Sequence, residues 1–187
     1  MKTLPLVLLS ILLSTGVITA EPDNDPTGKL IGRIGNIFWS APEKCLVRAT
    51  IYQKGNEATD SASQKSKSDE KIGLRYATTK EAGTLAIPQW IPRGSMVKIH
   101  TEQGVCAYVA ADEGRSVERR KAAKELGKTK EEKAAPVFDF CAEKQSWPDF
   151  IIVEIYYYAG KVPFSELNLE DQKALFAYAM DYITKQE

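Results

Sequence analysis

The stretch GTLAIPQWIPRGSMVKIHTEQGVCAYVAADEG, Gly83 to Gly114, carries the pattern on which the fold turns. Three short runs within it, TLAIP, SMVKIHT and VCAYVAAD, are rich in β-branched and small apolar residues. Turn formers separate them: Pro88 and Pro92 follow the first, Arg93-Gly94 precedes the second, and Gln103-Gly104 divides the second from the third. Short runs of this kind, punctuated by Gly and Pro, read as strands joined by tight turns. The third run ends in Asp112, followed by Glu113 and Gly114. A strand-end carboxylate commonly closes a turn by accepting backbone N–H bonds. It can also stand at the rim of a barrel as a chemical group.

Working outward, CLVRATIYQ (Cys45 to Gln53) reads as a further strand, PVFDF as an extended segment, and DFIIVEIYYY as the strongest strand of all. Between the first strand and the opening stretch, KGNEATDSASQKSKSDEK has almost no apolar residues and reads as a long exposed loop. From Ser116 to about Lys133 the composition shifts to Ala, Glu, Lys and Arg, which favour helix, with Gly127 ending a first helix. In the closing segment, Leu175, Phe176, Ala179 and Ile183 form one apolar stripe at helical spacing, the mark of a helix docked on a core. Many short strands with Gly and Pro between them point to a small barrel or sandwich.

The chain has 187 residues, enough for one core. Its first 20 residues, MKTLPLVLLSILLSTGVITA, combine basic Lys2, an apolar run and a small residue before Glu21, which is the pattern of a cleaved Sec-type signal peptide. The run is short for a membrane span and is broken by Ser10, Ser14 and Gly16. The expected location is therefore periplasmic or extracellular, with no membrane span after cleavage. Residues 21–44 read as a flexible lead-in. With Lys2 removed from the 25 basic residues, 24 remain against 25 acidic ones, a net charge of −1. That balance offers no electrostatic footprint for nucleic acid. Export permits one disulfide among Cys45, Cys106 and Cys141, with one thiol left over and the pairing open. His100 is the single histidine and no CxxC occurs, so neither a metal site nor a cofactor is expected. The lone histidine also leaves little room for a Ser-His-Asp arrangement.

Taken together, GTLAIPQWIPRGSMVKI, YVAADEG, PVFDF and IIVEIYYY resemble the double-psi β-barrel of the three-aspartate and rare lipoprotein A-like families. VRATIYQ is similar to the first strand of those domains, of the form A-S/T-x-Y. The resemblance spans roughly Cys45 to Tyr158 and implies a mainly β fold. It would consist of a six-stranded double-psi barrel over residues 45–158, a helical insertion at about 115–134, and a C-terminal helical extension at 159–187. It also implies that Asp112 matches the aspartate of a D-x-G motif and that Asp139 matches the aspartate of the following strand. In lytic transglycosylases that share this barrel, the residue at the position of Asp139 is the acid that cleaves glycan. The chain departs from the pattern where Ala86-Ile87-Pro88 replaces a first aspartate, where the rare lipoprotein A-like histidine is missing, and where the Asp112–Asp139 interval is about twice the usual length.

The chemistry is demanding. Glycosidic cleavage requires a proton delivered to a poor leaving oxygen and stabilisation of an oxocarbenium-like centre. A carboxylic acid delivers that proton only if its pKa is raised, by a second carboxylate or by apolar surroundings. Val137, Phe138 and Phe140 flank Asp139 in sequence and would supply the latter. Asp139 and Asp112 are thus the candidate catalytic pair. Tyr52 is a candidate sugar-stacking residue, Arg93 a candidate for holding a carboxylate of the substrate, and Trp39, Trp90 and Trp147 a candidate stacking face. The expected partner is peptidoglycan or another polysaccharide, cleaved in the manner of a lytic transglycosylase. Two alternatives stand beside this: a glycan-binding module without catalysis, as in expansin-like proteins, and an exported protein-interaction domain. Oligomeric state is open.

Overall fold

The computed structural model of the protein describes residues 39–54, 72–113 and 126–185. The signal segment, most of the lead-in, loop residues 55–71 and insertion residues 114–125 lie outside these. Six strands form: β1 (Glu43–Tyr52), β2 (Gly83–Ile87), β3 (Met96–Thr101), β4 (Gly104–Glu113), β5 (Val137–Cys141) and β6 (Phe150–Tyr156). They close into a barrel in the order β1-β5-β2-β4-β3-β6. The pairs β1–β5 and β2–β4 are parallel, and the other four are antiparallel. The chain is thus mainly β, with a closed six-stranded barrel, a short helical element and a C-terminal helix.

Period-two alternation explains the closure. Every strand sends alternate residues to one interior cluster: Val47 and Ala49, Leu85 and Ile87, Val97 and Ile99, Tyr108 and Ala110, Phe138 and Phe140, Val153 and Ile155. Large rings from β5 are offset by alanines from β1 and β4, which lets the interior fill. Gly94 closes the β2–β3 connection with a φ of 83°, a conformation that L side chains rarely adopt. A Cβ there would also lie 3.0 Å from the rings of Phe164 and Tyr158.

The C-terminal helix covers one outer face. Short helix α1 (Lys130–Ala134) begins at a Thr129–Glu132 capping box, and α2 (Leu169–Thr184) begins at Asn168, whose side chain accepts the Asp171 N–H. Leu175, Phe176, Ala179 and Ile183 are all buried, packed in one cluster with Met96, Ala107, Val109 and Ala111 of β3 and β4. The stripe is a docking face, as its helical spacing predicts.

Three sequence expectations change. The ordered barrel domain starts before Cys45: β1 begins at Glu43, and Trp39 is buried, bridged to Tyr158 and donating its indole N–H to Gly94 O at 2.9 Å. None of the three cysteines is in a disulfide. Cys141 pairs with Tyr52 on the parallel neighbour strand, seven residues beyond Cys45, which is a separation of roughly 23 Å along β1. Finally, Phe138 and Phe140 do not surround Asp139. They point into the interior, and alternation sends Asp139 to the opposite face of β5.

Candidate functional site

The strand register assembles the site. On β5, Asp139 stands opposite Thr50 of β1 on one side and opposite Ala86 of β2 on the other. Ala86 in turn stands opposite Asp112 of β4. A single row across four strands therefore reads Thr50, Asp139, Ala86, Asp112. With neighbouring strands about 4.8 Å apart, the two aspartates stand roughly 10 Å apart at Cα, with one methyl side chain between them.

A β-bulge produces that row. Leu85 pairs with Ala110, but Ala86 pairs with Asp112, so β4 advances two residues while β2 advances one. In a regular ladder Ala86 would face Ala111, and Asp112 would fall one step beyond. Bulges re-aim side chains in this way and recur beside functional sites.

Both aspartates are buried, Asp112 at 2 % exposure and Asp139 at 5 %. They do not face solvent in an open groove. Buried carboxyls require partners, and one is explicit: Thr50 Oγ1 lies 2.6 Å from Asp139 Oδ1 and 3.3 Å from the Phe138 carbonyl oxygen. A hydroxyl has a single proton. Given to Asp139, that proton holds an ionised carboxylate. Given to the Phe138 carbonyl, it leaves the 2.6 Å contact to be bridged by a proton on Asp139, the form that a general acid needs.

The surroundings come from the segment before β2. Leu74 and Tyr76 pack over Tyr52, Ala86 and Cys141. Thr84 pins this cover: its N–H donates to Arg75 O and its Oγ1 accepts the Arg75 N–H, both at 2.9 Å. Tyr52 is accordingly buried beneath the cover at the end of β1 rather than displayed for stacking. Arg93 sits half-buried in the β2–β3 connection, one residue before Gly94, whose N–H donates to Ala110 O at 2.9 Å.

The three tryptophans separate. Trp39 is core, and Trp147 packs half-buried with its ring 5.3 Å from that of Phe140. Trp90 is 53 % exposed. It lies in the turn closed by Ile91 N–H donating to Pro88 O, in a loop that leaves β2 opposite Glu113 and returns opposite Ala110. That loop spans the end of β4 on which Asp112 sits.

Other groups take no visible part. Burial pushes the Cys45 and Cys106 thiols up, which keeps them protonated and weakly nucleophilic. His100 is exposed at the far end of β3. Among the described residues, no group of three His, Cys, Asp or Glu side chains is placed to hold a metal ion.

The structure thus brings Asp112 and Asp139 to the two sides of one residue, with Tyr52 two residues beyond Thr50 on β1 and Arg93 in the β2–β3 connection. Sequence reasoning missed Thr50, although the A-T-x-Y pattern that singled out Tyr52 contains it. It also missed the bulge, for which consecutive alanines give no signal. No family model, curated protein or solved structure matches the chain.

Proposed function

We propose that this is an exported cell-wall protein whose barrel cleaves the glycan strands of peptidoglycan in the manner of a lytic transglycosylase. The observation that carries the reading is the Thr50–Asp139–Ala86–Asp112 row, which holds two buried carboxyls beside one small residue. The motif resemblance supplies the reaction class.

In this reading Asp139 is the acid. The reading requires the Thr50 hydroxyl to donate to the Phe138 carbonyl and to accept the Asp139 proton across the 2.6 Å contact. Asp139 gives the proton to the glycosidic oxygen while Asp112, ionised, stabilises the positive charge that develops at the anomeric carbon. Asp139 then takes the proton of the sugar's own 6-hydroxyl, whose oxygen closes on the anomeric carbon. An anhydro-sugar end forms and no water is consumed. Access requires the Leu74–Tyr76 cover to lift, since both carboxyls are enclosed. Trp90 offers a ring face for an adjoining sugar.

The burial of both aspartates, set against the exposure of Trp90, favours a second reading: a barrel that binds glycan without cutting it. One experiment separates the two. Purified mature protein is incubated with peptidoglycan sacculi, and the soluble products are analysed by mass. Release of anhydro-muropeptides supports cleavage. Cosedimentation with sacculi and no release supports the binding module. Neither cosedimentation nor release overturns both.

A further inference from the structure

A cleft of about 550 Å³ lies between α2 and the connection that leads into β2. Buried Ala82 and Phe176 are among its lining residues, and Lys54, Arg75 and Lys80 bring positive charge to it. Two of these cations are held in an unusual way. Lys54 Nζ lies 4.3 Å from the centre of the Tyr76 ring, while its own backbone N–H donates to the Tyr76 hydroxyl at 3.1 Å. Arg75 Cζ lies 5.1 Å from the centre of the Phe176 ring. Aromatic faces attract and orient a cation but carry no formal charge to neutralise it. Among the described residues, none of the three cations is in an ion pair.

Two carboxylates, Glu81 and Asp181, also line the cleft and are exposed. Among the described residues, three cations against two anions give its lining a net charge of +1. That mixture disfavours a compact polyanion such as phosphate, which the carboxylates repel. It suits an elongated ligand that carries more carboxylates than ammonium groups and has amide N–H donors between them. The volume lies within the range of small-ligand sites.

We infer that this cleft binds a short acidic peptide. Carboxylates of the peptide meet Lys54, Arg75 and Lys80, its amino end or amides meet Glu81 and Asp181, and its apolar portions rest on Ala82 and Phe176. The inference needs neither aspartate of the barrel row and stands whether or not the glycan reading survives.

The test uses the mature chain and isothermal titration at low salt with three probes: triglutamate, trialanine amide and inorganic phosphate. Triglutamate is expected to bind with one-to-one stoichiometry, trialanine amide at least about tenfold more weakly, and phosphate not measurably. Arg75→Gln is expected to weaken triglutamate about tenfold. Because Arg75 also rests on Phe176, Lys80→Gln serves as the second variant; Lys80 is exposed, and several-fold weakening with an unchanged melting temperature is expected. D112N should leave peptide binding as it is. No triglutamate binding, equal binding of trialanine amide or phosphate, or full binding by both Arg75→Gln and Lys80→Gln would overturn the proposal.

Discussion

On the outer face of β3 and β4, Met96, Ala107, Val109 and Ala111 meet a 16-residue helix. On the outer face of β1, β5 and β2, Thr50, Asp139 and Ala86 share a row, and Leu74 and Tyr76 lie over the neighbouring Tyr52, Ala86 and Cys141. Both faces are largely covered, yet the first is apolar where the helix stripe meets it, and the second contains carboxyl and hydroxyl groups. Apolar burial contributes about 25 cal/mol per Å² and asks nothing of geometry beyond fit. Buried polar groups contribute little net and cost several kcal/mol when a partner is lost. A face selected for stability alone resembles the first. The second resembles a face kept for chemistry, and perturbing each in turn separates the two roles.

The largest effect is expected at Asp139. Asp139→Asn keeps the shape and removes the transferable proton. Release of anhydro-sugar products from sacculi should fall by about 10²-fold or more, while the thermal midpoint stays nearly unchanged. Asp112→Asn should slow release less, because it alters charge stabilisation and leaves the acid in place. If Asp139→Asn unfolds the protein, the second face is structural after all and the contrast fails.

The apolar face should respond in the opposite sense. Leu175→Ala empties a fully buried position on α2 and is expected to cost about 2–5 kcal/mol in a chemical denaturation series. At temperatures where the variant remains folded, its product release should match that of the parent. A stability loss below about 1 kcal/mol would show that α2 is not an integral part of the core.

Thr50→Val probes the link between the two properties. Removing the hydroxyl leaves Asp139 without its 2.6 Å partner and is expected to cost about 1–3 kcal/mol. The informative readout is the alkaline limb of the pH–rate profile, which reports the protonated acid. If the Asp139 proton rests on Thr50, loss of the acceptor destabilises the neutral form and moves that limb to lower pH. Movement to higher pH would show that Thr50 donates to an ionised carboxylate and that Asp139 is not the resting acid.

The smallest effect concerns Tyr158, beside the apolar face. Burial pushes its phenol from 10.0 up to about 12, and its hydroxyl donates to Val162 O at 2.6 Å. The folded state thus favours the neutral form. Its contribution to stability is whole below pH 10 and is lost as pH rises towards 12. Burial raises Tyr108, Tyr157 and Tyr178 as well, so the alkaline loss is shared among four phenols. Tyr158→Phe should flatten part of the alkaline decline in stability. An unchanged slope would place the proton release on unfolding elsewhere.

The short runs CLVRATIYQ, TLAIP, SMVKIHT, VCAYVAAD, PVFDF and DFIIVEIYYY, with Gly94 and Gly104 among the turn residues, were sufficient to place the six strands. Side-chain direction in a strand is a local property. The same holds for α2, whose stripe from Leu175 to Ile183 is local helical geometry. Asp112 stood out at the end of an apolar run, and Asp139 through the motif resemblance. Their relation was another matter. Asp112 and Asp139 are 27 residues apart in the chain, and each meets Ala86 through pairings that depend on barrel closure and on an unpaired step at Ala111. The phenylalanines next to Asp139 looked like its environment, yet the barrel turned them inward and placed Thr50 there instead. Which strands became neighbours, in what register, and which small residue came to lie between two buried acids were decided only in three dimensions. Non-local pairing is set by the packing of the whole interior and leaves no mark on any single segment.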